Sequence, residues 1–222
     1  MSAAGGIGVL GGSFNPVHLG HLRAAEELRE GQELDDVLLV PAAVPPHKAP
    51  ADLAPAADRF AMVQLAIAGH PGFAVTDLEL RRPGPSYTVD TLRELTVGGD
   101  ELFFVIGSET FLDLLSWREP RQVAALARLV VIPRAGSPFD PQSAAAQKVL
   151  REIGLADSGF AHVTPGEPFP SRAVLIAHVT SLPISASDLR RRVRAGRSLD
   201  YRVPPAVIDY MRRHRLYGAT PA

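Results

Sequence analysis

Short, nearly unbroken apolar runs recur along this chain, and most are followed by a stretch with helical spacing. Ile7-Gly8-Val9-Leu10, Asp36-Val37-Leu38-Leu39-Val40-Pro41, Leu102-Phe103-Phe104-Val105-Ile106-Gly107 and Leu129-Val130-Val131-Ile132-Pro133 are the plainest of them. A run of that length with no polar alternation reads as a strand buried on both faces. Phe73-Ala74-Val75 reads as a further strand between the second and the fourth, Leu78-Glu79-Leu80 continues it with period two, and Val174 to Val179 reads as the sixth. Strands alternating with helices imply a parallel sheet with right-handed crossovers, so the expected class is α/β with a doubly wound parallel sheet. With 222 residues the chain can bury a sizeable core. We expect one domain over 1–222, in which residues from about 183 to 222 form a helical C-terminal part packed on the sheet.

The most informative stretch follows the first run: Gly11-Gly12-Ser13-Phe14-Asn15-Pro16-Val17-His18-Leu19-Gly20-His21. Leu22, Ala25 and Leu28 then share one helical face, with Arg23, Glu26, Glu27, Arg29 and Glu30 opposite. Pro16 excludes helix just before it, so the helix starts nearer His18–Leu19. Two histidines three apart then sit side by side on the first turn. A helix N-terminus presents free amides and partial positive charge, which suits an anion, and glycines admit close approach of a ligand. No Gly-Lys-Ser/Thr follows and Gly-x-Gly-x-x-Gly is absent, so this is neither a Walker A loop nor an ordinary dinucleotide turn.

Composition narrows the field. Apolar residues make up 46% and charged residues 21%, ordinary for a globular protein, and the net charge of −1 gives no global basic field for nucleic acid or an anionic membrane. An anion site must therefore be built locally. There is no cysteine, hence no disulfide and no thiolate metal site, which fits a reducing cytoplasm. The first six residues lack a basic and a long apolar region of the signal-peptide kind, and no run nears the ~18 apolar residues of a membrane span.

Further positions carry both an ordinary and a functional reading. Lys48, in Pro45-Pro46-His47-Lys48, is a solvated loop lysine unless the stiff proline turn holds it over a ligand. Asp58 starts a helix through Ile67 as an N-cap type residue, with Arg59 on its surface. In Ser86-Tyr87-Thr88, Ser86 or Thr88 caps a helix ending near Gly98-Gly99, and the same amides and hydroxyls could receive a carboxylate. Gly107-Ser108-Glu109 and Arg134 fall at or just beyond the carboxyl ends of strands, where open α/β sheets bind ligands. Trp117 keeps polar company, which suggests a rim rather than a core position. A helix is expected near Pro141–Ile153, followed by a variable Pro- and Gly-rich segment, and a final helix from Tyr201 to Tyr217. Ile184-Ser185-Ala186-Ser187 precedes a helix carrying Arg190, a second place where a Ser-rich N-terminus and a nearby guanidinium suit phosphate, whereas Arg191, Arg192 and Arg194 read as a solvated face.

The Gly11–His21 stretch resembles the Gly-x-Phe-x-Pro-x-His-x-Gly-His signature of the nucleotidyltransferase α/β phosphodiesterase superfamily, and Ile184–Arg190 resembles its second signature. Within it the whole chain is similar to the bacterial nicotinate-nucleotide adenylyltransferases. The resemblance implies a Rossmann-like nucleotidyltransferase fold and transfer of the AMP moiety of ATP to nicotinate mononucleotide, with Mg²⁺ on the departing pyrophosphate and no metal ligand from protein side chains. It assigns His18, His21, Lys48 and Arg190 to catalysis. Gly11, Gly12, Ser13, Phe14, Gly107, Glu109, Ile184, Ser185 and Ser187 join the ATP site on the same ground. Ser13, Lys48, Tyr87, Thr88, Trp117 and Arg134 fall to the pyridine nucleotide. Two segments depart from the family pattern: Ser108-Glu109 replaces Ala-Asp, and Ala186 replaces a serine. A homo-oligomer is compatible with the sequence; a nucleic-acid or membrane partner is not expected. The alternatives are a sister enzyme acting on phosphopantetheine, which should lack the Ser86–Thr88 and Trp117 elements, and a nucleotide-binding module without turnover.

Overall fold

The computed structural model describes residues 5–32, 34–46, 53–133, 139–163 and 173–220. The chain begins with β1 (Ile7–Gly12), α1 (Leu19–Gly31), β2 (Asp36–Pro41), α2 (Ala56–Ile67) and β3 (Phe73–Val75). Two helices, α3 (Leu78–Arg81) and α4 (Thr88–Leu95), lead to β4 (Leu102–Gly107). Then come α5 (Ser108–Leu112), α6 (Pro120–Leu126), β5 (Arg128–Ile132), α7 (Ala144–Ile153), β6 (Phe160–His162) and β7 (Val174–Ile176). The helices α8 (Ala186–Arg194) and α9 (Pro205–Arg213) follow.

Among the described residues the strands form one seven-stranded sheet in the order β3-β2-β1-β4-β5-β7-β6, every neighbouring pair parallel. The order reverses between β1 and β4, and a doubly wound sheet opens a crevice beyond the carboxyl ends of the strands at that point.

The unbroken apolar runs have a simple cause. Along β4, Leu102, Phe104 and Ile106 enter one apolar layer with α4–α7, while Phe103 and Val105 enter the layer on the opposite face. Strand side chains alternate between faces, so a sheet covered on both sides needs apolar residues at every position. Across the sheet from α4–α7, α1 and α2 share a layer with Val37 and Leu39 of β2. Leu189 of α8 and Val207, Ile208 and Met211 of α9 belong to this same layer.

Several local expectations change. Leu78-Glu79-Leu80 is one helical turn, entered at Thr76, whose hydroxyl accepts from Leu78 N at 3.2 Å. Three residues are too few for period two to exclude helix. The Pro- and Gly-rich segment hides the short edge strand β6, so Val174–Ile176 is the seventh strand, not the sixth. Helix α2 starts at Ala56 with Pro55 at its cap, and Asp58 lies in its first turn. Neither Ser86 nor Thr88 caps α4: Tyr87 holds the cap position, and the Ser86 hydroxyl accepts from Val44 N at 3.1 Å. The last helix starts at Pro205 rather than Tyr201, because a residue before proline is steered out of the helical region while proline suits a first turn.

Candidate active site

At the crevice between β1 and β4 lies a cavity of about 610 Å³. From the β1 turn, Gly11, Gly12, Ser13, His18 and His21 line it. A Cβ on Gly11 would meet only Phe104, at 3.7 Å, so the missing side chain leaves its room to the cavity. Gly107 and Glu109 reach it from the end of β4, Tyr87 and Thr88 from the start of α4, and Trp117 and Ile184 from the rim. Trp117 is half-buried, with its ring edge-on to Phe104 at 6.2 Å.

His18 is the N-cap of α1 and His21 follows three residues on, with the two rings stacked at 3.6 Å and 22°. The His18 amide donates to His21 Nδ1 at 3.3 Å, so a neutral His21 carries its proton on Nε2. His18 is 6% exposed, and its Nδ1 has no partner among the described residues. Burial lowers its pKa from 6.5 to about 4, so at neutral pH this imidazole enters the site uncharged. A Cβ at Gly20 would come within 3.1 Å of the His18 ring, which explains the small residue there.

Four expected site residues do not line the cavity. The Phe14 ring is buried beneath the turn, 5.2 Å edge-on from His21. Phe14 itself has φ +43, a conformation rare outside glycine. Ser185 caps α8, its hydroxyl accepting from Asp188 N at 3.2 Å, and Ser187 is exposed beside it. Arg190 donates through Nη1 to the carbonyl of Asn15 at 2.9 Å, so the two signature segments lie against each other. The Arg190 Nε is buried without a partner among the described residues. Lys48 and Arg134 lie outside the described residues.

The strongest features missed from the sequence are props behind this surface. Arg59, expected on the surface, is 1% exposed. It donates to the carbonyls of Ser13 at 2.9 Å, Ala42 at 2.5 Å, Ala43 at 2.9 Å and Ala54 at 2.9 Å. A guanidinium presents several donors in a fixed fork, and here it ties the β1 turn to the chain leaving β2. The signal was its place three and four residues before buried Met62 and Val63, on the apolar face of α2. Asn15 Oδ1 accepts from Ala54 N at 3.0 Å and from the Tyr217 hydroxyl at 2.7 Å. Burial pushes the Tyr217 phenol well above its usual range. Glu79 is also buried in the wall; its Oε1 accepts from Thr91 Oγ1 at 2.5 Å, and its Oε2 lacks a partner among the described residues. No signal in the sequence marked Asn15, Tyr217 or Glu79 for these positions. Among the described residues no three His, Cys, Asp or Glu are grouped as metal ligands, and no helix is long and apolar enough to cross a membrane.

An open α/β crevice whose glycine turn feeds a helix start is the architecture of a nucleotide-handling protein. Residues 9–192 match the cytidylyltransferase-like family, and the chain belongs to that family. Two relatives named probable nicotinate-nucleotide adenylyltransferase are similar over nearly their whole length. That of Syntrophotalea carbinolica is 44% identical over 213 residues, covering 95% of this chain and 96% of the relative. One from Thermus thermophilus is 43% identical over 213 residues, covering 95% of this chain and 98% of the relative. The chain therefore belongs to the nicotinate-nucleotide adenylyltransferase family. Its fold is also that of the solved Plasmodium falciparum nicotinic acid mononucleotide adenylyltransferase complexed with NaAD. The two agree with a TM-score of 0.72 and 19% identity, over 97% of this chain and 98% of that one.

Proposed function

We propose that the protein joins nicotinate mononucleotide to the AMP moiety of ATP, giving nicotinate adenine dinucleotide and pyrophosphate. The observation that carries this reading is the meeting, in one cavity, of the two-histidine helix start with the aromatic and hydroxyl rim of Tyr87, Thr88 and Trp117. Family membership at above 40% identity supports the same reaction.

In this reading an oxygen of the mononucleotide phosphate attacks the α-phosphorus of ATP. The new P–O bond forms as the bond from the α-phosphorus to the α,β-bridging oxygen breaks, and pyrophosphate leaves with its electron pair. No covalent intermediate on the protein is needed, so positioning and charge stabilisation carry the catalysis. The amides at the start of α1 and the Nε2–H of His21 face the α- and β-phosphates. His18 meets them uncharged, because burial disfavours its protonated form. Gly107 and Glu109 take the adenosine side, while Ile184, Ser185, Ser187 and Arg190 back the polyphosphate. Tyr87, Thr88 and Trp117 hold the pyridine nucleotide, with Ser13 between the two substrates. Lys48 and Arg134 take phosphates, as the family resemblance implies. A divalent cation, Mg²⁺ in this proposal, arrives with the triphosphate. A chain without cysteine suits a reducing compartment, and the cytoplasm is the location proposed for the reaction.

The test is incubation with ATP, Mg²⁺ and nicotinate mononucleotide, measuring pyrophosphate and dinucleotide together. Equal amounts of both are expected. Pyrophosphate release with phosphopantetheine but none with the mononucleotide would overturn the reading in favour of the sister enzyme, and no release with either would leave a binding module.

A further inference from the structure

Arg118 follows Trp117 and lines the same cavity, the only Arg or Lys to do so among the described residues. Its guanidinium lies 5.0 Å from the centroid of the Tyr87 ring. An aromatic face attracts a cation through its charge distribution, without serving as a conventional hydrogen-bond acceptor.

Two carboxylates are near, but both are engaged more closely elsewhere. Asp90 is 3.7 Å and Glu119 3.6 Å from Arg118, at the outer edge of ion-pair range. The same two groups meet Arg93 at 3.2 Å and 2.5 Å. Arg118 is therefore a half-exposed cation held in place by an aromatic ring and only loosely neutralised.

We infer that Arg118 is a specificity-determining residue, the cation by which this enzyme favours a mononucleotide whose ring bears a carboxylate over one whose ring bears a carboxamide. The inference rests on the reaction proposed above. The two ring substituents have almost the same shape, so packing against Trp117 and Tyr87 cannot tell them apart. They differ by one unit of charge, which a nearby guanidinium reads directly. Water screens a cation this exposed, so its share of the discrimination is about tenfold, rather than the thousands available in a dry site.

The experiment compares kcat/KM for nicotinate and nicotinamide mononucleotides, with ATP and Mg²⁺, in wild type, Arg118→Gln, Arg118→Lys and Asp90→Asn. The ratio between the two substrates is the readout, since loss of folded protein lowers both values alike and leaves it unmoved. Arg118→Gln lowers the ratio about tenfold, mainly by slowing the nicotinate substrate, and Arg118→Lys restores part of it. Asp90→Asn removes one competing charge and raises the ratio. Added salt lowers the ratio in wild type and has little effect in Arg118→Gln. Turnover of nicotinate mononucleotide with an unchanged ratio in Arg118→Gln overturns this inference alone. Absence of turnover with both substrates in wild type overturns the reaction itself and this inference with it.

Discussion

The two sides of the cavity are built on different principles. The β1 turn is held from behind by the buried Arg59 on the Ser13 carbonyl and by the half-buried Arg190 on the Asn15 carbonyl and Tyr217 on the Asn15 side chain. The opposite side, from Tyr87 to Arg118, rests on a half-buried tryptophan, a guanidinium over the Tyr87 ring and ion pairs open to water. Buried hydrogen bonds to fixed carbonyls hold atoms to fractions of an ångström, whereas exposed ion pairs are worth little and yield easily. The contrast suits the proposed division of labour. Stabilising charge on a transferring phosphorus demands preorganised donors, while telling one ring substituent from another demands only a charge of the right sign nearby.

The sharpest way to break this comparison is to remove the central prop. Arg59→Met leaves four carbonyls, one buried and three half-buried, without their donor and should cost about 3–5 kcal/mol, lowering the melting temperature by roughly 10 °C. A calorimetric scan showing no change would mean that the turn does not depend on it.

Next in size is His18. His18→Gln should lower kcat/KM by ~10²–10³ while the protein stays folded. It also has a signature in pH. The folded-state pKa of about 4 lies below the ordinary 6.5, so between these values the unfolded chain binds the extra proton. The stability tied to the neutral, buried imidazole is thus complete above pH 6.5 and is lost as pH falls towards 4. Relative to His18→Gln, wild type should lose about 2–3 kcal/mol between pH 7 and pH 4, read from denaturant midpoints at each pH. Parallel curves would show that His18 is already solvated.

Smaller again is Tyr217→Phe, which removes one donor from Asn15 Oδ1 but leaves the bond from Ala54 N. Chemical denaturation should show a loss of ~1 kcal/mol. On the other side, Arg93→Ala breaks the exposed pairs to Glu119 and Asp90 and should leave the melting temperature where it was. A large drop would erase the distinction between the two sides.

The fold was legible because its cause is local. Apolar runs such as Leu102–Gly107 announce two covered faces, while the alternation of strand and helix implies the parallel pairing seen between β1 and both β2 and β4. The place of the glycine turn and the two histidines on the cavity was legible too, since a glycine turn before a helix and histidines three apart are sequence-adjacent features. The props were not. Arg59 looks like any surface arginine until its helix is seen to turn it inward, and Tyr217 meets Asn15 across a separation of 202 residues. Strand β6, with Phe160–His162, was too short to show a period, and the role of Leu78-Glu79-Leu80 depended on Thr76 accepting a bond that a strand would have spent elsewhere.

One link bears on how the molecule comes into being. Asn15 is made 175 residues before Arg190 and 202 residues before Tyr217, the two groups that complete it. Closing so long a loop is slow compared with forming the first strand and helix. A nascent chain therefore has Arg59 to brace its glycine turn early but lacks the two braces on Asn15 until Arg190 and Tyr217 have been made.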